Sequence, residues 1–259
     1  MTEYVTYEKR AGVAVLTIDN PPLNVLSKHI QIGLEEAVDE LSRDDEVICI
    51  ILTTAGSKAF IAGADIKEFP SMIGNENMLH DVMSMHRLLN KIEQVPKPTI
   101  AVLDGLTFGG GCELALAFDI RIAEEHATIA FPEVKLGIFP GGGGTQRLPR
   151  LVGTSKAKEM MYTGEAISAR DAERIGLVSS VVATGDGLQA AMKLANKIAN
   201  QSLQALSRIK VAVNEGIELE QIEAIELEAK LFTEVFQTED MKEGIEAFIN
   251  KREPVFKHR

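Results

Sequence analysis

The sequence predicts an α/β fold with largely parallel strand pairing, followed by a helical tail. Three observations carry that expectation. Through the first half of the chain, short β-branched runs alternate with segments of helical period, the pattern of successive βα units. After about Gln201 the strand signals stop, and Glu, Ala, Leu and Lys recur at helical spacing. The 259 residues, 45% hydrophobic and 25% charged, suffice for one large packed core. Residues 1–200 are therefore read as a core domain and residues 201–259 as a separate helical region.

Element by element, Val13-Ala14-Val15-Leu16-Thr17-Ile18 reads as a buried strand closed by the turn-forming Asp19-Asn20-Pro21-Pro22. Ser27 then stands as the N-cap of a helix running to about residue 41, with Ile30, Leu34, Ala37, Val38 and Leu41 on one face. Residues 47–53 are mostly apolar and β-branched, as in a strand buried on both faces. Met78–Gln94 reads as a second helix, with Leu79, Val82, Met83, His86, Leu89 and Ile92 at helical spacing; Pro96 and Pro98 stop it. Thr99–Leu103 and residues 120–123 are further strands. In the tail, residues 202–215, 219–236 and 239–250 read as three helices, and the second is too apolar for a helix facing only solvent.

Charge narrows the function. With 27 basic and 38 acidic residues the net charge is −11, which argues against a general nucleic-acid binder needing a basic face. An anionic small ligand stays possible, because local potential governs a cleft. Cys49 and Cys112 sit in apolar surroundings and cannot build a disulfide framework, so buried free thiols in a reducing compartment are expected. No apolar run approaches the ~20 residues of a membrane span, and Met1-Thr2-Glu3-Tyr4 opens no signal peptide. The expectation is a soluble, cytoplasmic protein without membrane contact.

Glycine clusters twice, as Gly109-Gly110-Gly111 and as Gly141-Gly142-Gly143-Gly144. The plainest reading is flexible loops. A dinucleotide fingerprint would need glycine where Leu114 or Arg147 stands, and the Gly-Lys-Ser/Thr of a phosphate loop is missing. What remains is a glycine loop opening a helix, where exposed N–H groups and the helix dipole favour a negative oxygen. Glu113 follows the first cluster among apolar neighbours; Glu133 sits in Phe131-Pro132-Glu133-Val134. A first-turn carboxylate can simply complement a helix dipole. Yet burying a glutamate is costly, and two beside glycine loops suggest paired carboxylates for general acid–base work. Competing chemistries lack support: His29, His80, His86, His126 and His258 show no zinc spacing, so no metal is expected. Ser155-Lys156-Ala157-Lys158 lacks the companion motifs of a serine–lysine site, and no nucleophile elbow occurs.

Lys58-Ala59-Phe60-Ile61-Ala62-Gly63-Ala64-Asp65-Ile66-Lys67 resembles the first signature of the crotonase (enoyl-CoA hydratase/isomerase) superfamily. Residues 105–119 resemble the second, and Phe131-Pro132-Glu133 through Pro140-Gly141-Gly142-Gly143-Gly144-Thr145-Gln146-Arg147-Leu148 the third. Asn20-Pro21-Pro22-Leu23-Asn24-Val25-Leu26 is similar to the early strand-to-helix turn, and Phe248-Ile249-Asn250-Lys251-Arg252-Glu253-Pro254-Val255-Phe256 to the C-terminal ending. The likeness covers essentially the whole chain in family order.

The resemblance implies a crotonase-like spiral of ββα units with a C-terminal helical trimerisation region, assembled as a trimer or as a hexameric dimer of trimers. It implies an acyl-CoA thioester substrate, with coenzyme A belonging to the substrate and no separate cofactor. Backbone N–H groups of Ala64 and Gly110 match the oxyanion hole; Ala62, Asp65, Ile66 and Lys67 match the coenzyme-binding stretch; Gly141 matches a contact to the reacting water. Lys58, Lys67, Lys251 and Lys257 lie in segments similar to coenzyme-binding regions. Hydratases of the superfamily carry glutamate at both the Glu113 and Glu133 positions, whereas isomerases and thioesterases commonly lack one or both. The implied activity is hydration of a trans-2-enoyl-CoA to a 3-hydroxyacyl-CoA, a hydro-lyase step of fatty-acid β-oxidation or branched-chain acyl degradation. Glu113 would activate the water and Glu133 protonate C2. A Δ3-Δ2 enoyl-CoA isomerase and a methylglutaconyl-CoA hydratase are the alternatives, with an RNA-binding member more remote. Glycine throughout 141–144 departs from the family pattern and predicts a looser loop.

Overall fold

Strands form where β-branched and apolar residues run together, and helices where apolar positions recur every three to four residues. The computed structural model describes residues 3–259. In chain order its strands are β1 (Val5–Arg10), β2 (Val13–Ile18), β3 (Cys49–Thr54), β4 (Ala59–Ile61), β5 (Thr99–Leu103), β6 (Leu106–Phe108), β7 (Ile120–Glu124), β8 (Thr128–Ala130), β9 (Ile167–Ser168) and β10 (Ser180–Val182). The helices are α1 (Lys28–Arg43), α2 (Met78–Gln94), α3 (Gly110–Leu116), α4 (Gly144–Val152), α5 (Thr154–Thr163), α6 (Ala169–Arg174), α7 (Gly187–Ala199), α8 (Leu203–Gly216), α9 (Gln221–Val235) and α10 (Glu239–Ile249).

The large sheet runs β1-β2-β3-β5-β7-β10 and the small one β4-β6-β8-β9. In the large sheet only the edge pair β1–β2 is antiparallel; β2–β3, β3–β5, β5–β7 and β7–β10 are parallel. Three successive stretches, β3-β4-α2, β5-β6-α3 and β7-β8-α4, each place one strand in the large sheet, one in the small sheet, and then a helix. This is the expected ββα spiral. Its core lies between the sheets, where Leu16, Ile18, Leu52, Phe60, Ile61, Leu103, Leu114 and Phe131 are buried together. On the other face Ala191 and Ala195 of α7 pack on Val13, Cys49, Ile51 and Val102, so β3 has water on neither side.

α1 buries Ile30, Leu34, Ala37, Val38 and Leu41 as its spacing predicts. α2 has the predicted bounds but buries only Leu88, Leu89 and Ile92. Leu79 and Met83 are exposed, because only the C-terminal turns lie against α1, where Lys91 pairs with Glu35 and Asp39. Buried cations fix helix ends, as favoured by the negative end of the helix dipole. Lys97 Nζ donates to the carbonyls of Leu41 and Asp44, each at 2.6 Å, at the end of α1. Arg121 donates to Phe118 O at 2.5 Å and Ala115 O at 3.2 Å, closing α3. Asp119, just after α3, accepts from Thr99 N at 2.8 Å and pairs with Lys210 of α8 at 3.0 Å.

Asp104, between β5 and β6, is buried and accepts from Thr54 Oγ1 at 2.8 Å. Burial pushes its carboxyl up to about 6, above the ~3.9 of a free aspartate. The native state therefore holds the extra proton, and stability falls as pH rises from about 4 to about 6. Asp104→Asn keeps an acceptor for Thr54 and removes the charge. We expect it to flatten that slope and to stabilise the protein above pH 6 by on the order of 1–3 kcal/mol. Urea midpoints at pH 4.5 and 7.5 for both proteins check this; an unchanged difference between the two pH values refutes it.

Candidate active site

The carboxylate of Glu113 is placed by a short helix and a glycine loop. α3 opens on Gly109, whose φ of 49° with ψ of −119° few side chains tolerate. Its N–H donates to Ala130 O at 2.9 Å, tying the helix start to β8. Glu113 stands in the first turn and is only 4% exposed. Its Oε1 accepts from Gly142 N at 2.7 Å and from Gly144 N at 2.8 Å. Burial raises its pKa, while the two N–H donors and the Arg147 guanidinium pull the other way.

Glu133 arrives from the 3-10 turn Pro132–Leu136 that follows β8. It packs against the other glycine loop: a Cβ on Gly109 would lie 2.7 Å from Glu133 Oε1. Its Oε2 is buried and has no hydrogen-bond partner. Burial, with the Glu113 charge adding to it, pushes Glu133 up to about 7. The two glutamates, 20 residues apart in sequence, thus sense one another in one site. Glu113 has two N–H donors from another loop, whereas Glu133 has only its own backbone N–H and one unpartnered oxygen, an inequality that can separate a base from an acid.

The 141–144 loop corrects an expectation. Four glycines predict a looser loop, yet Gly142, Gly143 and Gly144 are buried. The space a side chain would take at Gly142 is filled by the Glu113 carboxylate, since a Cβ there would lie 2.6 Å from Oε2. Glycine here marks close approach. Gly141 itself is exposed at the edge of this loop.

Ala64 and Gly110 are brought together. A Cβ on Gly110 would lie 3.6 Å from Ala64 N. Gly110 is the first residue of α3, so its N–H has no intrahelical acceptor. The Ala64 N–H has no acceptor among the described residues, although Leu26 N bonds the neighbouring Gly63 O at 2.8 Å and Leu26 bridges Ala64. Ala62 is held through its N–H to Leu23 O at 3.1 Å. Asp65 caps the 3-10 turn Ile66–Met72 by accepting from Lys67 N at 3.1 Å. Ile66 and Lys67 are exposed in this turn, and Lys58 is exposed just before β4; Lys251 and Lys257 lie exposed in the C-terminal segment.

Sequence reasoning missed Arg147, quoted only as part of a glycine motif. Its guanidinium lies against Gly143 and donates to Glu93 Oε2 and Asn90 Oδ1 of α2, each at 2.7 Å. Among the described residues no group of three or more His, Cys, Asp or Glu side chains is placed to hold a metal ion. No helix there is long and apolar enough to cross a membrane.

Repeated ββα turns that seat a buried and a half-buried glutamate beside glycine loops define an α/β spiral protein with a paired-carboxylate site. The chain belongs to the enoyl-CoA hydratase/isomerase family, whose profile matches residues 8–259. It is 42% identical over 249 residues to the short-chain-enoyl-CoA hydratase of Clostridium acetobutylicum, covering 96% of this chain and 95% of that one. It is 40% identical over 255 residues to the crotonyl-CoA hydratase of Syntrophomonas wolfei, covering 98% of each. Among solved structures, enoyl-CoA hydratase from Bacillus anthracis superposes with a TM-score of 0.94 at 37% identity, covering 99% of this chain and 100% of that chain.

The electrostatics predict distinct titrations. By carboxyl NMR, Glu133 should titrate near 7, well above the ~4.3 of an unperturbed glutamate. In Glu113→Gln it should titrate lower, because a neighbouring negative charge is gone. A Glu133 that titrates with the surface glutamates, or one indifferent to the substitution, overturns this account of the pair.

Proposed function

We propose that this chain hydrates trans-2-enoyl-CoA thioesters to 3-hydroxyacyl-CoA, with Glu113 and Glu133 as the catalytic pair. The observation that carries the reading is the unequal environment of these two carboxylates. The N–H groups of Ala64 and Gly110 polarise the thioester carbonyl, which makes C3 electrophilic and gathers charge on an oxygen held by both donors. Glu113, whose Oε1 accepts from the Gly142 and Gly144 N–H groups, takes a proton from water as the water oxygen bonds to C3. Glu133, which holds its proton up to about pH 7, delivers it to C2. Gly141 contacts that water. Ala62, Asp65, Ile66 and Lys67 bind the coenzyme portion. The step leaves Glu113 protonated and Glu133 ionised; return of that proton from Glu113 to Glu133 through solvent restores the pair, so one water is added overall and no further cofactor is consumed.

The relatives named short-chain-enoyl-CoA and crotonyl-CoA hydratase favour a short acyl chain. The reading includes a role in fatty-acid β-oxidation or branched-chain acyl degradation. It also includes a cytoplasmic location, supported by two buried free thiols, and no nucleic-acid or membrane partner.

Replacing either glutamate by Gln should slow hydration of crotonyl-CoA by at least ~10²-fold while thioester binding survives, and the two losses should not add. In the wild type, hydration should fall as pH rises through about 7, where Glu133 gives up its proton. Loss of the conjugated thioester absorbance reads the rate. Wild-type hydration by Glu113→Gln, with isomerisation of a 3-enoyl-CoA abolished, would assign the isomerase instead.

The reading extends to a homo-oligomer, a trimer or a dimer of trimers, built through residues 201–259. No residue of α9 is buried, and Ile222 is 75% and Phe248 85% exposed, more apolar surface than a solitary chain usually shows. Light scattering at micromolar concentration should give three or six subunits; a monomer mass rejects this assembly.

A further inference from the structure

Arg147 has a place in the site that the acid–base scheme does not use. It sits in the first turn of α4, its N–H donating to Gly143 O at 2.9 Å. Its side chain folds back over the loop, with Nη1 against Gly143, where the backbone has a φ of 103°. The far side of the guanidinium is clamped to α2, by Nη2 to Glu93 Oε2 and to Asn90 Oδ1 at 2.7 Å each, and by Nε to Glu93 Oε2 at 3.2 Å. Its side chain is only 13% exposed. A planar five-donor fork that makes three directed bonds while one nitrogen rests on a glycine backbone is held in one orientation.

We propose that Arg147 is a positioning residue of the active site, which clamps the 141–144 loop to α2 and keeps the loop's N–H donors and its own positive charge trained on Glu113. The inference rests on Glu113 being the carboxylate that handles water. It says what opposes the rise in the Glu113 pKa that burial causes. Two contributions act together. The clamp fixes the loop whose Gly142 and Gly144 N–H groups reach Oε1. The cation behind the loop also favours the carboxylate form directly.

The charged and titratable groups around Glu113 are few. Cys112 stands beside it on α3 with its thiol donating to Thr107 O at 2.7 Å, and Glu133 faces it from the 3-10 turn. From α2 come His86, whose Nδ1 lies 3.8 Å from where a Cβ on Gly143 would project, and Glu93. From α4 comes Arg147. Arg147 is the cation whose charge bears on the Glu113 carboxyl.

The test separates charge from clamp by measuring hydration of crotonyl-CoA against pH for the full-length protein. Arg147→Met removes both. Its kcat should fall ~10–100-fold, as misplacement of a catalytic group does, with KM within about threefold. The acid limb of its pH profile should move up, because Glu113 then loses its proton only at higher pH. Arg147→Lys keeps the charge and loses the fork, so the acid limb should lie between those of the wild type and Arg147→Met while kcat recovers only in part. Glu93→Gln loosens the clamp and leaves the cation, so kcat should fall with that limb moving up less than in Arg147→Met. If Arg147→Met leaves kcat and the acid limb unchanged, the proposal is wrong. It is equally wrong if all three variants lose rate with the limb unmoved, since Arg147 then serves the scaffold alone. Should Arg147→Met fail to fold, Arg147→Lys and Glu93→Gln still decide. Glu113→Gln distinguishes the two levels. Wild-type hydration by that variant removes the underlying reading, whereas an impaired Glu113→Gln beside an unaffected Arg147→Met removes only the inference about Arg147.

Discussion

Glu113 is a carboxylate with almost no water around it, and the hydrogen bonds that replace that water come from backbone. Oε1 takes the N–H groups of Gly142 and Gly144, which oppose, in part, the upward pull of desolvation on its pKa. Much else follows from this contact. The loop must approach closely, so the positions nearest the carboxylate carry no side chain. It must also hold still, which calls for anchors outside it, and Arg147 with α2 supplies them. Glu113 in turn needs α3 fixed at both ends. Its start is tied to β8 through Gly109 and its end is capped by Arg121.

Glu133 shows the same physics with the opposite sign. It reaches the site with one oxygen buried and unpartnered, so the proton stays on until about pH 7. Two residues of one chemical type thereby acquire different proton affinities from their neighbours alone. The difference depends on which glycine loop each carboxylate meets. Glu113 finds two N–H donors, whereas Glu133 meets a loop that presses on it.

What the sequence disclosed follows from what each residue says without its partners. Runs such as Val13–Ile18 and Thr99–Leu103 are legible because a parallel strand buried on both faces is apolar along its length. Glu113 and Glu133 stand out as charges in apolar context, a conflict visible in one dimension. The small sheet is invisible, since β4, β6 and β8 have three residues each and β9 two, too few for any alternation. The exposed half of α2 was misjudged because periodicity tells which residues share a face but not what lies opposite. The glycine run reads as looseness until the carboxylate that fills its space is known. Arg147 means nothing until Glu93, 54 positions earlier, is beside it.

The spiral also sets an order of events during synthesis. Each turn of the large sheet lays its strand beside one already made: β3 on β2, β5 on β3, β7 on β5. A chain emerging from the ribosome can therefore add turns one after another, with no strand waiting for a distant partner. The candidate site draws on four successive stretches, around Ala64, Gly110, Glu133 and Gly144. It cannot exist until the chain has grown past Arg147, more than a hundred residues before the last one is added. Every earlier stage carries Glu113 without the two N–H groups that accommodate its charge. The nascent chain thus has a reason to keep α3 open to water until the second glycine loop has been made.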